Sequence, residues 1–539
     1  MSSLPVTPPA RRLVVPSRTS DQLAAIDLGS NSFRLEVAHV LRGQYQRIDY
    51  LKETVRLGAG LDEHSMLTEE AAQRGLACLS RFAQRLTGFQ PHQVRAVATQ
   101  TLREARNRDA FLARAQAVLG FPIEVISGRE EARLIYSGVA RLQPSRQPRL
   151  VIDIGGRSTE MIIGRGLHAQ LAESFQVGSV GLSMKYFPQG RFTAKAFRQA
   201  QIEAGAELEE ALGVFGRGRW REALGSSGTV GAVGQMLAAA GETDGSVTPA
   251  ALRWCIQECL RAGHQDALAL PGLKPERRAV IGGGLCILYT LAMQFGIDVL
   301  RPAKGALRQG VIFDLAQRLE AQAGGRLEDL RDRTVRELQR SFGVDAAQAQ
   351  RVRRMALSLF AQLDQDADGT AGAPNGPETT ETHRAAQREL GWVAALHEIG
   401  MMVSHHDHHR HSAYLIGHMD AAGFSQSQLR RLSQLALGQR GALRKLGAAL
   451  NDAQFQRQLL CLRLAVILCH ARMPLSTDAA RLRRLGDRWV LGLEGTPDTL
   501  YRTLYLLEEE ARVWRDEARM PLQIKVGGLV DAQDRGTTA

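Results

Sequence analysis

The chain has 539 residues, a formal net charge of +12, 44% hydrophobic and 23% charged residues, and a pI near 9.8. Such a length exceeds one compact core and implies about three or four domains, while a mixed composition without a long apolar run excludes a membrane span and stable membrane insertion. Six cysteines with no CxxC exclude a disulfide framework and a zinc ribbon and point to a reducing, cytoplasmic setting, and the basic balance favours an anionic partner.

Residues 1–20 read as a disordered tail, because the Leu13-Val14-Val15 patch is too small for a secretory segment. From Leu23 to Val40, two apolar runs flank a Gly29-Ser30-Asn31 turn, the pattern of a β-hairpin. A helix is expected over Thr68–Leu86, a strand over Val94–Ala98 and a helix over Arg129–Ala140. Residues 150–164 then repeat the hairpin, with Asp153 matching Asp27, Gly155 matching Gly29 and Ser158 matching Ser32. This internal duplication predicts two equivalent α/β lobes, at 21–143 and 144–318. The second continues through Gly225-Ser226-Ser227-Gly228-Thr229 and Gly282-Gly283-Gly284 and closes near Leu315. From 319 to 455 the pattern is helical, broken by a loop-like stretch at Asp364–Thr382. A small α+β piece occupies 456–539, with strands at Trp489–Glu494 and Leu522–Val526 around a helix at Thr499–Ala518.

The paired Asp-x-Gly-x-x-Ser turns carry the chemistry. Glycine and serine let successive backbone N–H groups converge on a phosphate, and hydroxyls add donors. An aspartate ending each first strand can hold Mg²⁺, which takes one or two carboxylates and shares its other positions with water and phosphate. One such turn is commonplace, but two in matched positions make a phosphate clamp. In Ser127-Gly128-Arg129-Glu130-Glu131, Ser127 has the position of a helix N-cap and Glu130 that of its partner three residues on. Glu131 then falls in the first turn, where the helix dipole lowers a carboxylate pKa, so a role as base requires it to face a cleft.

These hairpins, the Ser127–Tyr136 segment, Val177-Gly178-Ser179-Val180-Gly181, the 225–229 turn and Lys304–Gly310 resemble the exopolyphosphatase and guanosine pentaphosphate phosphohydrolase family across residues 23–318. Leu390–Gly423 resembles its helical third domain. The resemblance implies two actin-like, ribonuclease-H-like lobes with the active site between them, Glu131 as general base and Mg²⁺ at Asp153 and Glu160. It places phosphate on Asp27, Gly29, Ser30, Asn31, Ser32 and Arg34 of the first loop, on Gly155, Gly156, Ser158 and Thr159 of the second, and on Ser227, Gly228 and Thr229. Arg103 matches a cleft-facing arginine. Arg157 stands where the family more often has glycine, and either adds a phosphate contact or narrows the loop.

The helical part resembles an HD phosphohydrolase scaffold, and histidines crowd His397–His418. Glu398, Gln439 and Arg463 replace the ligands such a site requires, so a solvated cluster without a functional metal is expected. Asp364, Asp366, Asp368 and Gly369 imitate a Ca²⁺ loop, but Asn375 occupies the position of the bidentate glutamate. Cys255 and Cys259, one helical turn apart, read as a buried stripe. Basic clusters at Arg351, Arg353 and Arg354, at Arg430 and Arg431, and at Arg440, Arg444 and Lys445 suit either a solvated face or a polyanion track.

The reading is an Mg²⁺-dependent exopolyphosphatase acting on linear polyphosphate, with guanosine pentaphosphate hydrolysis as the alternative. An actin-like small-molecule kinase and a non-catalytic polyanion binder are the competitors from other classes. Nucleic acid is not an expected partner, since aromatics are 5% of the chain and do not interleave with basic residues. Homodimerisation is left open.

Overall fold

A computed structural model of the chain describes residues 22–41, 43–323, 328–365, 377–518 and 520–527, with backbone only at 364, 365 and 377–381. The expectations for residues 1–20 and for the Asp366–Asn375 imitation of a Ca²⁺ loop lie outside the described residues. Two compact units are present, residues 1–324 and 325–539.

The first unit holds two five-stranded sheets of one design. In the first, β1 (Gln22–Leu28) pairs antiparallel with β2 (Ser32–Leu41), β2 with β3 (Gln44–Thr54), and β1 runs parallel to β4 (Val94–Ala98), which pairs with β5 (Ile123–Val125), in the order β3-β2-β1-β4-β5. In the second, β6 (Arg149–Ile154), β7 (Thr159–Arg165), β8 (His168–Phe175), β9 (Glu222–Gly225) and β10 (Leu300–Pro302) are ordered β8-β7-β6-β9-β10. Each strand has its counterpart in the same place, so the duplication read in the two turns extends to the whole sheet. This is the actin-like, ribonuclease-H-like fold that the sequence predicted.

Each lobe has its own apolar core, centred on Phe33, Phe82 and Phe111 in the first and on Phe187, Phe197 and Leu285 in the second. A third core joins them. Leu134, Ile135 and Val139 of the helix Gly128–Leu142 and Leu307, Val311 and Ile312 of the helix Leu307–Gln322 pack against Ala25 and Val97 of one sheet and Val151 and Ile162 of the other. The helix Leu307–Gln322 therefore continues past Leu315, where the sequence put the close of the second lobe, because its apolar stripe is buried between both lobes. The two helices cross at glycines: a Cβ on Gly138 would lie 2.3 Å from the Ala306 carbonyl, and one on Gly310 would lie 1.8 Å from that of Leu134. Only hydrogen fits there.

The second unit is mostly helical around one core that includes Phe360, Trp392, Leu435 and Phe455. A three-stranded sheet, β11 (Ala480–Leu485), β12 (Arg488–Leu493) and β13 (Leu522–Val526), contributes Leu482, Trp489, Leu491 and Leu522 to the same core, as the helix Pro497–Ala518 contributes Trp514. The described ends of the expected loop at Asp364–Thr382 are helical. The helix Ala346–Gln365 runs into it, and another, Pro377–Leu396, starts within it, with Pro377 at a helix start, where its missing N–H costs nothing.

Candidate active site

The two hairpin turns and three helix starts enclose a cavity of about 90 Å³ in the first unit. Asp27, Gly29, Ser30, Asn31, Ser32 and Arg34 line it from the first hairpin, and Asp153, Gly155, Gly156 and Ser158 line it from the second. Ser227, Gly228 and Thr229 close another side. The helices beginning at Ser179, Gly228 and Leu307 bring their N-terminal ends to this cavity, and the positive end of the helix dipole favours an anion. Ser227 caps its helix by accepting from the Thr229 and Val230 amides. In the second turn, Gly155 donates to the Ser158 carbonyl at 2.8 Å, and Ser179 donates its amide and its hydroxyl to the Gly155 carbonyl. A Cβ on Gly178 would stand 2.3 Å from the Arg157 nitrogen, so the chain presses against the loop from behind.

Glu131 faces this cavity. Its helix is capped as the sequence suggested, the Ser127 hydroxyl accepting from the Glu130 amide at 3.2 Å, and Glu130 turns away into a two-point ion pair with Arg133. Asp314 extends that buried network, accepting from Arg133 at 2.6 Å and from Arg95 at 2.8 Å. Glu131 is 8% exposed and accepts from Arg103 at 2.8 Å. Burial pushes its pKa up to about 7 against the pull of Arg103, with Asp27 and Asp153 adding to the rise. Desolvation thus outweighs the helix-start effect that alone would have depressed it.

Asp153 and Glu160 are register partners across β6 and β7. Asp153 accepts from the Ser226 hydroxyl, and Glu160 accepts from Ser174 at 2.9 Å. Burial raises both carboxyls; Glu131 and Asp153 raise Glu160 further, as Asp27 raises Asp153. Asp27 is raised too, chiefly by burial, although Arg34 and Arg308 stand 3.6 and 3.7 Å away. Like charges so placed favour a cation between them. Among the described residues no three His, Cys, Asp or Glu side chains gather as a ready metal cage; Mg²⁺ needs only one or two carboxylates, and of this pair Asp153 lines the cavity while Glu160 lies behind it.

Three expected phosphate contacts stand elsewhere. Arg157 does not line the cavity: its guanidinium is bonded to Glu104 at 2.7 Å and to the Gly58 carbonyl at 3.3 Å, so it ties the second loop to the first lobe. Thr159 is fully buried and donates to the Val177 carbonyl at 2.6 Å, since strand alternation turns it away from the cavity. Arg103 sits behind Glu131, also bonded to Gln100 and to the Ile126 carbonyl, which makes it a positioning group for the carboxylate. Glu160 lies beneath the cavity lining at 1% exposure.

The sequence reading missed Arg277, which lines the cavity; its guanidinium occupies the space a Cβ on Gly228 would take, 2.1 Å away. Lys52, missed too, stands beside Arg277 and Arg34 without lining the cavity. Asp27, Arg34 and Lys52 are successive register partners across β1, β2 and β3, and burial with the nearby Arg277 and Arg34 lowers Lys52 to about 8. No motif marks Arg277, which ends the short 3-10 turn Pro275–Arg277 just before the helix Arg278–Gln294. Lys52 could have been found by carrying the hairpin register one strand further.

A model of the Ppx/GppA phosphatase family matches residues 36–319, and one for domain III of these phosphatases matches residues 330–510. The chain belongs to the Ppx/GppA phosphatase family. It is similar to guanosine-5'-triphosphate,3'-diphosphate pyrophosphatases of Vibrio cholerae, 37% identical over 479 residues covering 88% of this chain and 93% of the relative, and of Vibrio vulnificus, 38% identical over 473 residues covering 87% and 91%. Among solved structures, an exopolyphosphatase-like protein matches with TM-score 0.50 and 25% identity over 55% of this chain and 98% of its own. An exopolyphosphatase from Cytophaga hutchinsonii shares the fold with TM-score 0.50, 22% identity and coverage of 57% and 99%. As a member of this family the chain is a hydrolase of phosphoanhydride bonds, and the kinase and non-catalytic readings fall away. No helix among the described residues is long and apolar enough to cross a membrane.

In the second unit, the positions where an HD site would hold metal are occupied by other bonds. Arg463 makes a two-point ion pair with Glu510 and donates to the Gly438 carbonyl. Arg472 holds Glu398 at 2.6 Å, and the Gln439 amide donates to the carbonyls of His397 and Ala436. Of the basic clusters, Arg431 is paired with Glu389 and Asp452. Cys255 and Cys259 are buried.

Proposed function

We propose that this protein removes the terminal phosphate of a guanosine nucleotide bearing a 5'-triphosphate and a 3'-diphosphate, in the cytoplasm and as part of the stringent response. The observation that carries the reading is likeness over nearly the whole chain, both units included, to relatives named for that reaction. Exopolyphosphatase activity, which the sequence placed first, becomes the second reading; it is favoured by the likeness, at 25% identity, to a solved exopolyphosphatase-like protein. The cations Arg34, Lys52 and Arg277 suit a molecule with two separate phosphate groups, one held by the paired turns and the other by this row.

In this reading Glu131 orients and deprotonates the attacking water, and a base near pKa 7 is matched to neutral pH. Arg103 keeps its carboxylate turned toward the cavity. The turn amides and hydroxyls of the two hairpins hold the terminal phosphate in line. Asp153 and Glu160 would hold Mg²⁺, which when bound neutralises charge on the transferred phosphoryl oxygens. Homodimerisation belongs to the same proposal.

The test is orthophosphate release from guanosine pentaphosphate and from long-chain polyphosphate, side by side with Mg²⁺. We expect kcat/KM at least about tenfold higher for the nucleotide, a difference of ~1.4 kcal/mol in transition-state binding. Faster release from long polyphosphate would reverse the order of the two readings.

A further inference from the structure

A cavity of about 400 Å³ lies wholly within the second unit, lined by none of the residues of the catalytic cavity. Its size falls in the range of about 300–1,000 Å³ usual for small-molecule sites. Met401, Val466, Ile467, Leu506 and Val513 give it an apolar wall. At its base are polar atoms that the protein leaves unsatisfied. Gln439, 3% exposed, has its amide nitrogen fixed by the His397 and Ala436 carbonyls at 2.9 and 3.0 Å, and its buried Oε1 has no hydrogen-bond partner. His408, 8% exposed, has a buried Nδ1 that is likewise unpartnered. Burying such atoms without a partner forfeits their hydration with nothing in return, so their retention beside a cavity marks a place where a ligand completes them.

The character of these atoms narrows the ligand. His397 donates Nδ1–H to the Ala394 carbonyl at 2.8 Å, which leaves Nε2 as an acceptor. With Gln439 Oε1, the base of the cavity offers two neighbouring acceptors, and these repel an oxyanion and attract N–H donors. A bare phosphate or polyphosphate end therefore does not suit it. Of the lining arginines, the buried Arg463 and the partly exposed Arg472 are consumed by Glu510 and Glu398, while Arg440, at the mouth, is exposed and has no acidic partner among the described residues. A flat heterocycle with a donor edge fits the base and wall, and its phosphate fits the mouth.

We infer that this cavity is a second nucleotide site, taking a purine mononucleotide whose base turns a donor edge to Gln439 and His397 and whose phosphate meets Arg440. Guanine presents two adjacent donors, the ring N–H and the exocyclic amine, where adenine presents one donor beside an acceptor. Guanosine monophosphate is thus preferred over adenosine monophosphate.

The experiment is photolabelling of the full chain with 8-azidoguanosine monophosphate, followed by mass mapping of the modified peptides. Label is expected on peptides containing residues 397–408 or 463–472, protected by guanosine monophosphate at least about tenfold better than by adenosine monophosphate. Arg440→Glu at the exposed mouth and Val466→Trp in the wall should each reduce that label at least about tenfold. Should Val466→Trp fail to fold, Arg440→Glu decides alone. Label confined to the 27–34 and 153–160 peptides, pocket label that persists in Arg440→Glu, or equal protection by the adenine nucleotide overturns the inference. Stoichiometric Zn²⁺ or Mn²⁺ uptake that depends on His397 and His408 also overturns it.

Discussion

Arg103 donates to Glu131 at 2.8 Å, and the two side chains are 11% and 10% exposed. The pair sets the working range of the base, since burial lifts Glu131 while Arg103 holds it down. Glu131→Gln should leave phosphate binding nearly intact and lower kcat at least ~10²-fold, as loss of a general base does. Arg103→Met should shift the acidic limb of kcat/KM to higher pH, because the group that lowers the carboxyl pKa is gone. A pH–rate profile of each variant checks both; wild-type turnover in Glu131→Gln would remove the assignment.

The same raised carboxyl has a signature in stability. Glu131 holds its proton up to about pH 7 in the folded chain, against an ordinary value of 4.5. Between those values the unfolded state binds fewer protons, so stability falls as pH rises through the window. Urea unfolding at pH 5 and pH 8 should show Glu131→Gln gaining on wild type at the higher pH, with little difference at the lower.

Asp153→Ala and Glu160→Ala should raise the Mg²⁺ concentration needed for half-maximal rate as well as lower the rate itself, since both act through the ion. An Mg²⁺ titration superimposing on wild type in both variants would falsify the metal role. Ser226→Ala removes the hydroxyl that donates to Asp153 and should raise the Asp153 pKa further, producing a milder version of the same shift.

The glycine crossing predicts a stability loss far from the chemistry. Gly138→Ala and Gly310→Ala each force a methyl against backbone, and overpacking of this kind costs about 1–3 kcal/mol. Denaturant midpoints should drop in both, although alanine is the better helix former by about 1 kcal/mol. Unchanged midpoints would mean that the helices separate at this point at no cost.

A chain truncated after residue 323 tests the role of the second unit. It should keep Mg²⁺-dependent hydrolysis of pentaphosphate nucleotide or short polyphosphate, because every residue lining the catalytic cavity precedes that point. On the polyanion-track reading of the basic clusters, it should bind long polyphosphate more weakly and with a shallower salt dependence, since fewer neutralised phosphates release fewer counterions. Products on long chains should change from orthophosphate with full-length polymer to a ladder of intermediates, as the second tether is gone. Equal processivity in the truncated chain would assign the second unit to dimerisation or regulation.

Sequence by itself determined the duplicated hairpins, and with them the lobes, the carboxylates Asp27 and Asp153 and the capped start of the Glu131 helix. These are local patterns: strand alternation, a glycine turn and an N-cap read the same wherever the chain goes. Side-chain direction across the cleft was decided by tertiary structure alone. Arg157 and Thr159 belong to the loop in sequence, but one reaches Glu104 and the other lies under the strand, while Arg277, unmarked by any motif, reaches the cavity. The base itself shows why. A first-turn glutamate carries a lowered pKa on local grounds, and Glu131 titrates near 7 because residues distant in sequence exclude water from it, a desolvation that no local pattern encodes.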